Sequence, residues 1–176
     1  MNSETNPQNN PPQSPLQVGH FLAGIAALIW DPATERYLLL QRSADKDYAS
    51  GAWECVTGRV DQGEDFEQAL HREVREEIGA SVQIEFIVAT THFYRGSASP
   101  ENELLGIIYG CTIENPHDVT IEAEHSQARW LTVQQAYEFL PQDYWLRNVI
   151  ERAELMKAQL PQELRDVYRN QGFNIG

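Results

Sequence analysis

The sequence predicts an α/β protein, a mixed sheet with helices packed on its two faces. Three observations carry this: apolar runs of strand length come first, one strongly amphipathic helix interrupts them, and helical segments close the chain. Strands, a helix, more strands and then helices is an order that buries two helical layers against one sheet. The chain has 176 residues, 41% of them hydrophobic and 22% charged, so it is of single-domain size with material for a normal core.

Residues 1–17 are mostly Asn, Gln, Pro and Ser, the composition of a flexible N-terminal tail that cannot bury enough surface to order itself. Residues 18–176 are expected to form one domain. Phe21 to Trp30 is a continuous apolar run and Tyr37 to Leu40 a second, joined by turn residues between Asp31 and Arg36, so two strands and a short loop are expected. A third short strand follows at Trp53 to Val56. Phe66 to Ile78 is the clearest helix, with Phe66, Leu70, Val74 and Ile78 at helical spacing and Gly79 as its C-terminal stop. Val82 to Thr91 and Leu104 to Ile113 are β-branched and apolar, two further strands around the polar loop Arg95 to Asn102. Ala128 to Leu131 is a short strand. Val133 to Leu140 is a helix entered through Thr132 as N-cap, Asp143 to about Gln159 another, and Glu163 to Asn170 a weaker third.

The formal net charge is −13, which repels a phosphate polymer and argues against a nucleic-acid partner. A small phosphate substrate is compatible with it where a divalent cation, held by carboxylates, reverses the local sign. Cys55 and Cys111 stand far apart and read as reduced core thiols rather than a disulfide framework. No stretch is long and apolar enough for a membrane span, and the N-terminus lacks the basic-then-apolar pattern of a secretory signal, so a cytoplasmic location is expected. A homodimer is compatible with the sequence.

The chemistry concentrates in Gly58 to Ala80. At ~100° per residue, Glu73, Glu76 and Glu77 fall within an arc of ~100°, so three carboxylates share one side of the helix. Glu77 lies ~20° from both Phe66 and Leu70, inside the apolar stripe. A carboxylate that starts from the core-facing side needs a partner, either a hard divalent cation or an arginine. Oxygen-only donors suit Mg²⁺, with Mn²⁺ an alternative. Arg72 can pair with Glu76 at i+4 or reach back to the preceding loop. In that loop Gly58 and Gly63 allow unusual backbone, and Glu64 meets the positive end of the helix dipole.

This stretch resembles the Nudix box: G, five residues, E, seven residues, then R-E-U-x-E-E-x-G-U, with U apolar. Gly58, Glu64, Arg72, Glu73, Val74, Glu76, Glu77 and Gly79 stand in register, and the last apolar place holds the smaller Ala80. Seven fixed letters at ~7% usage coincide by chance in about one window in 10⁸. The resemblance implies an α/β/α sandwich around a mixed sheet. It also implies hydrolysis of a diphosphate linkage in a nucleoside diphosphate-X or nucleoside triphosphate-like substrate. Glu73, Glu76 and Glu77 would hold the metal, with the Gly58 carbonyl as a further ligand, and Arg72 and Glu64 would orient the glutamates. Of the carboxylates outside the box (Glu101, Glu103, Glu122, Glu124), Glu124 is favoured, because Glu124-His125 before Arg129-Trp130-Leu131 is similar to a segment of some family members. That segment and Trp53 to Gly58 together look most like the dihydroneopterin triphosphate and nucleoside triphosphate pyrophosphatases. Arg42 is a candidate for phosphate, and Tyr48, Phe93, Tyr94 and Trp145 for stacking on a ring. Two rivals stay open: a nucleotide-binding module without catalysis, and an isoprenoid diphosphate isomerase using Cys55.

Overall fold

The computed structural model describes residues 19–45 and 49–175; the expected tail at residues 1–17 and the stacking candidate Tyr48 lie outside these. The strands are β1 (Leu22–Asp31), β2 (Arg36–Arg42), β3 (Trp53–Glu54), β4 (Val56–Arg59), β5 (Val82–Tyr94), β6 (Glu103–Ile113) and β7 (His125–Leu131). The helices are α1 (Phe66–Ile78), between β4 and β5, and then α2 (Val133–Phe139), α3 (Trp145–Gln159) and α4 (Gln162–Gln171) after β7.

β1 is the central strand. It is buried on both faces, which is why it reads as an unbroken apolar run rather than an alternation. It pairs in parallel with β6 from Leu22↔Leu104 to Trp30↔Thr112, and β6 pairs antiparallel with β5. Two strands share its other edge. β2 pairs with β1 at Trp30 and Asp31, and β4 takes Gly24 to Ala27. β7 and β3 both lie against β2. The expected single strand Trp53 to Val56 therefore breaks at Cys55: the residues before it pair with β2 and those after it with β1. β7 begins at His125, three residues earlier than its apolar residues suggest, because ladder bonds to Gln41 and Arg42 define it where Ser126 and Gln127 carry no hydrophobic signal. β5 likewise runs on to Tyr94.

The core has two layers. Ile25, Ala27, Ile29, Leu38 and Leu40 face α1 through Leu70, Val74 and Ile78. Ala26, Leu28, Trp30 and Leu39 face α2 and α3 through Ala136, Leu146, Val149 and Ile150. Alternation along β1 and β2 sends successive side chains to opposite layers. α1 opens with a reciprocal capping box between Asp65 and Gln68 and closes at Gly79, whose φ of 65° a side chain would resist. α2 has its own capping box, Thr132 with Gln135. α3 has no side-chain cap. Its entry is held instead by the Tyr144 hydroxyl, which accepts from the Trp53 N–H and donates to the Trp53 carbonyl, closing the free edge of β3.

β5 carries irregularities between Ile84 and Phe86 and between Ile87 and Ala89, and Glu85 sits in the first of them, wholly buried. Arg169 on α4 meets both its oxygens at 2.7–3.2 Å, and Thr112 Oγ1 donates to Oε1 at 2.8 Å. Removing the guanidinium strands a buried charge. Arg169→Ala is expected to cost about 2–3 kcal/mol in urea unfolding, less than a fully buried pair because Arg169 is 41% exposed. Glu85→Gln in the same chain should recover most of that loss.

Candidate active site

The outer edge of β4 faces α1. Val60 N–H donates to the Ala23 carbonyl, so on this antiparallel ladder the bonded partners recur at Gly58↔Ile25, and Thr57 and Arg59 turn their amides away from β1. The glutamates of α1 take those amides. Thr57 N–H bonds to Glu77 and Arg59 N–H to Glu73. Four helix residues rise ~6 Å and two strand residues ~6.6 Å, so an i,i+4 pair of glutamates matches alternate strand amides. The spacing inside the box is thus also the spacing that docks α1 on β4.

Arg72 ties helix to loop. Its Nε and Nη2 donate to the two Glu64 oxygens at 2.8 Å each, Nη1 to Glu73 Oε1 at 2.8 Å and Glu76 Oε2 at 3.1 Å, and Nη2 also to the Arg59 carbonyl at 2.9 Å. Both expected uses of Arg72, the i+4 pair and the reach back to the loop, are made at once. The guanidinium, first of all, holds the Glu64 carboxyl down at about 2. Glu73 is raised instead, by burial against the opposing pull of Arg72.

Glu77 is 4% exposed, as its place in the apolar stripe requires. Burial first, and then the charges of Glu54, Glu73 and Glu124, push its carboxyl up to about 9. Its Oε2 is buried with no hydrogen-bond partner, and the basic group brought near it is His125, with Nε2 at 3.8 Å. Glu54 is 8% exposed beside it, held by Arg42 Nη1 at 2.8 Å and by Thr57 Oγ1 at 3.3 Å. Glu124 is exposed on the turn before β7.

Among the described residues no group of three or more side chains stands ready as a cation cage, since Arg72 holds Glu73 and Glu76. The donor set nonetheless fits a hard divalent cation. It is all oxygen, it carries excess negative charge, and one buried carboxylate oxygen is unsatisfied.

Gly58 needs a correction. Its carbonyl is committed to the β1 ladder opposite Ile25, so it does not face the carboxylates. What matters at Gly58 is the missing side chain: a Cβ there would collide with the Glu73 carboxylate. Thr57, one residue earlier, has its carbonyl on the site's side. Gly58→Ala is expected to lower turnover about 10-fold by displacing Glu73 and to cost about 1–3 kcal/mol in stability. Steady-state kinetics beside a thermal melt checks it.

The remaining candidates divide. Arg42 is turned inward onto Glu54, 15% exposed. Trp145 is exposed at the start of α3, next to Tyr144. Tyr94 lies three strands from β4, roughly 14 Å across the sheet, against His92 rather than the carboxylates. Phe93 precedes it on the same strand end. Glu54 and His125 were not among the residues picked from sequence. The signal for Glu54 is a lone carboxylate in an apolar strand, and that for His125 is its place in the segment Glu124-His125 before Arg129-Trp130-Leu131.

A family model described as the NUDIX domain matches residues 20–153. The chain belongs to the NUDIX family. It is a Nudix hydrolase, and its sheet with flanking helices has the architecture of solved Nudix proteins. The nucleoside triphosphatase NudI of Escherichia coli O81 is 30% identical over 102 residues, 54% of this chain and 72% of that protein. An octanoyltransferase of Myxococcus xanthus is 32% identical over 118 residues, but the match spans only 32% of that protein. Among solved structures, the MutT protein from Methanosarcina mazei Go1 superposes with a TM-score of 0.65 at 23% identity, covering 82% of this chain and 100% of that one. The E. coli dihydroneopterin triphosphate pyrophosphohydrolase gives 0.57 at 26%, covering 74% and 92%. Nudix hydrolases generally use divalent metals. α4 lies beyond the matched segment.

Proposed function

We propose that this Nudix hydrolase cleaves a diphosphate linkage in a nucleoside triphosphate-like or nucleoside diphosphate-X substrate with Mg²⁺, water attacking at phosphorus. The observation that carries the reading is the unsatisfied buried oxygen of Glu77, on the box helix, among the further carboxylates of Glu54, Glu73 and Glu124. Glu73, Glu76 and Glu77 would hold the cation, with Glu124 and the Thr57 carbonyl on the same side; Mn²⁺ would serve the same donors. When bound, the cation neutralises phosphate oxygens and the charge developing on the leaving group. Arg72 sets the positions of Glu73 and Glu76, and a carboxylate of the cluster takes the proton of the attacking water. Arg42 and Trp145 would contact the rest of the substrate. The names of the relatives, a nucleoside triphosphatase and a dihydroneopterin triphosphate pyrophosphohydrolase, favour a small triphosphate.

The isomerase reading is disfavoured by Cys55, which is 1% exposed and whose thiol burial pushes up, away from the reactive thiolate. A silent binding module is disfavoured by a complete set of box glutamates. No helix among the described residues is long and apolar enough to cross a membrane, and a cytoplasmic enzyme is part of the proposal. The test is phosphate or pyrophosphate release from a panel of dNTPs, oxidised dGTP, dihydroneopterin triphosphate, ADP-ribose and dinucleoside polyphosphates with Mg²⁺. Metal-dependent turnover supports the reading. Nucleotide binding without turnover would replace it with the binding module.

A further inference from the structure

A chain of polar groups lies beside the box helix but outside the box. Arg42 Nη1 donates to Glu54 Oε1 at 2.8 Å, and His125 Nε2 stands 3.2 Å from that same oxygen and 3.8 Å from Glu77 Oε2. The His125 side chain is 1% exposed, and its Nδ1 has no partner. Nε2 makes its hydrogen-bond contact with the Glu54 carboxylate, an acceptor, so Nε2 carries the proton. An apolar ring of the same size would fill this place without burying an unpaired nitrogen. The imidazole is therefore explained by the bond its Nε2–H makes to Glu54 beside the buried Glu77.

The backbone around His125 makes a second, separate connection. The segment before β7 crosses the C-terminal end of α1. Thr120 N–H donates to the Ile78 carbonyl at 2.9 Å and Glu122 N–H to the Glu77 carbonyl at 3.1 Å, taking carbonyls the helix leaves free. His125 N–H closes a turn onto the Glu122 carbonyl at 3.0 Å, and the Glu124 carbonyl accepts from Ser43 N–H at 2.9 Å. The buried ring pins the end of this segment, and the exposed Glu124 is the residue directly before it.

We propose that His125 is a positioning residue of the hydrolytic site: its Nε2–H holds Glu54 beside Glu77, and its buried ring anchors the turn that carries Glu124. The inference rests on the reading of Glu77 as a cation-holding carboxylate. His125 touches no substrate; it acts through the carboxylates. Groups of this kind orient the residues that hold a metal, and losing one weakens metal affinity or activity by about 10–100-fold.

The experiment compares His125→Phe, His125→Gln and Glu77→Gln in the full chain. It reads Mn²⁺ binding by electron paramagnetic resonance, thermal melts, and kcat and KM on the fastest member of the substrate panel. His125→Phe keeps the ring and removes the donor. It is expected to melt near wild type, bind Mn²⁺ about 10–100-fold more weakly, and lose a similar factor in kcat with KM changed less than ~3-fold. His125→Gln keeps an N–H donor and is expected to recover most of both. Wild-type Mn²⁺ affinity and kcat in His125→Phe would overturn the proposal, as would a His125→Gln variant no better than Phe. If His125→Phe does not fold, His125→Asn, whose shorter amide falls short of Glu54, takes its place with the same two outcomes. Glu77→Gln separates the layers: if it binds Mn²⁺ and turns over like wild type, the hydrolase reading of the site fails, whatever His125 does.

Discussion

Glu77→Gln is expected to abolish most turnover while making the metal-free protein more stable. Glutamine keeps the shape and can still accept the Thr57 amide, but it loses the charge a cation needs. Metal-borne stabilisation of the transition state is worth several kcal/mol, so a loss of about 10³-fold in kcat is expected. Stability moves the other way. In the metal-free protein the Glu77 carboxyl titrates at about 9 against an ordinary 4.5, mainly because it is buried and secondarily because Glu54 and Glu73 face it. A raised carboxyl means the folded state holds a proton that the unfolded chain has released between these values. That contribution is complete below about pH 4.5 and drains away as pH climbs towards 9. Thermal melts in EDTA should therefore show wild type losing stability across this window and Glu77→Gln losing less. At pH 8 the variant should melt at least about 2–4 °C higher, the equivalent of ~1 kcal/mol for a domain of this size. A variant both inactive and less stable would mean that Glu77 holds the fold together rather than the cation.

Arg72→Lys is expected to lower kcat by about 10²-fold, although it keeps the charge. The guanidinium donates in one plane to Glu64, Glu73, Glu76 and the Arg59 carbonyl. An ammonium is a single nitrogen with three donors, and it cannot span acceptors on both the loop and the helix. Glu73 and Glu76 would then be free to move relative to each other, which misplaces the groups meant to hold the cation. Steady-state kinetics against Mg²⁺ concentration is the check. The expected signature is a lower kcat that saturating Mg²⁺ restores only in part. Full activity in the lysine variant would show that charge alone is needed at position 72.

Much of the site was legible because it is local. A helix of known pitch places Glu73, Glu76 and Glu77 on one side, and the same wheel puts Glu77 in the apolar stripe, where it is indeed buried. Thr132 and Gly79 mark helix ends through bonds spanning a few residues, as the sequence shows; the capping partners Asp65, Gln68 and Gln135 are seen in the fold. Membership of the NUDIX family followed from the box in the same way.

The rest depends on contacts between residues far apart in the chain. Whether the Gly58 carbonyl faces the site is decided by which β4 residues bond to β1, and a one-residue difference in register reverses it. Glu54 and His125 are 71 residues apart and meet because β3 and β7 both lie on β2. Arg42 turns inward for the same reason: its partner Glu54 arrives on the neighbouring strand. Periodicity and short-range hydrogen bonds encode the box helix, its stop at Gly79, the Thr132 cap and the carboxylates of the box, so these can be read along the chain. What surrounds Glu77, and how the segment before β7 meets the end of α1, emerges only from the fold, because strand pairing is a long-range choice that no local pattern records.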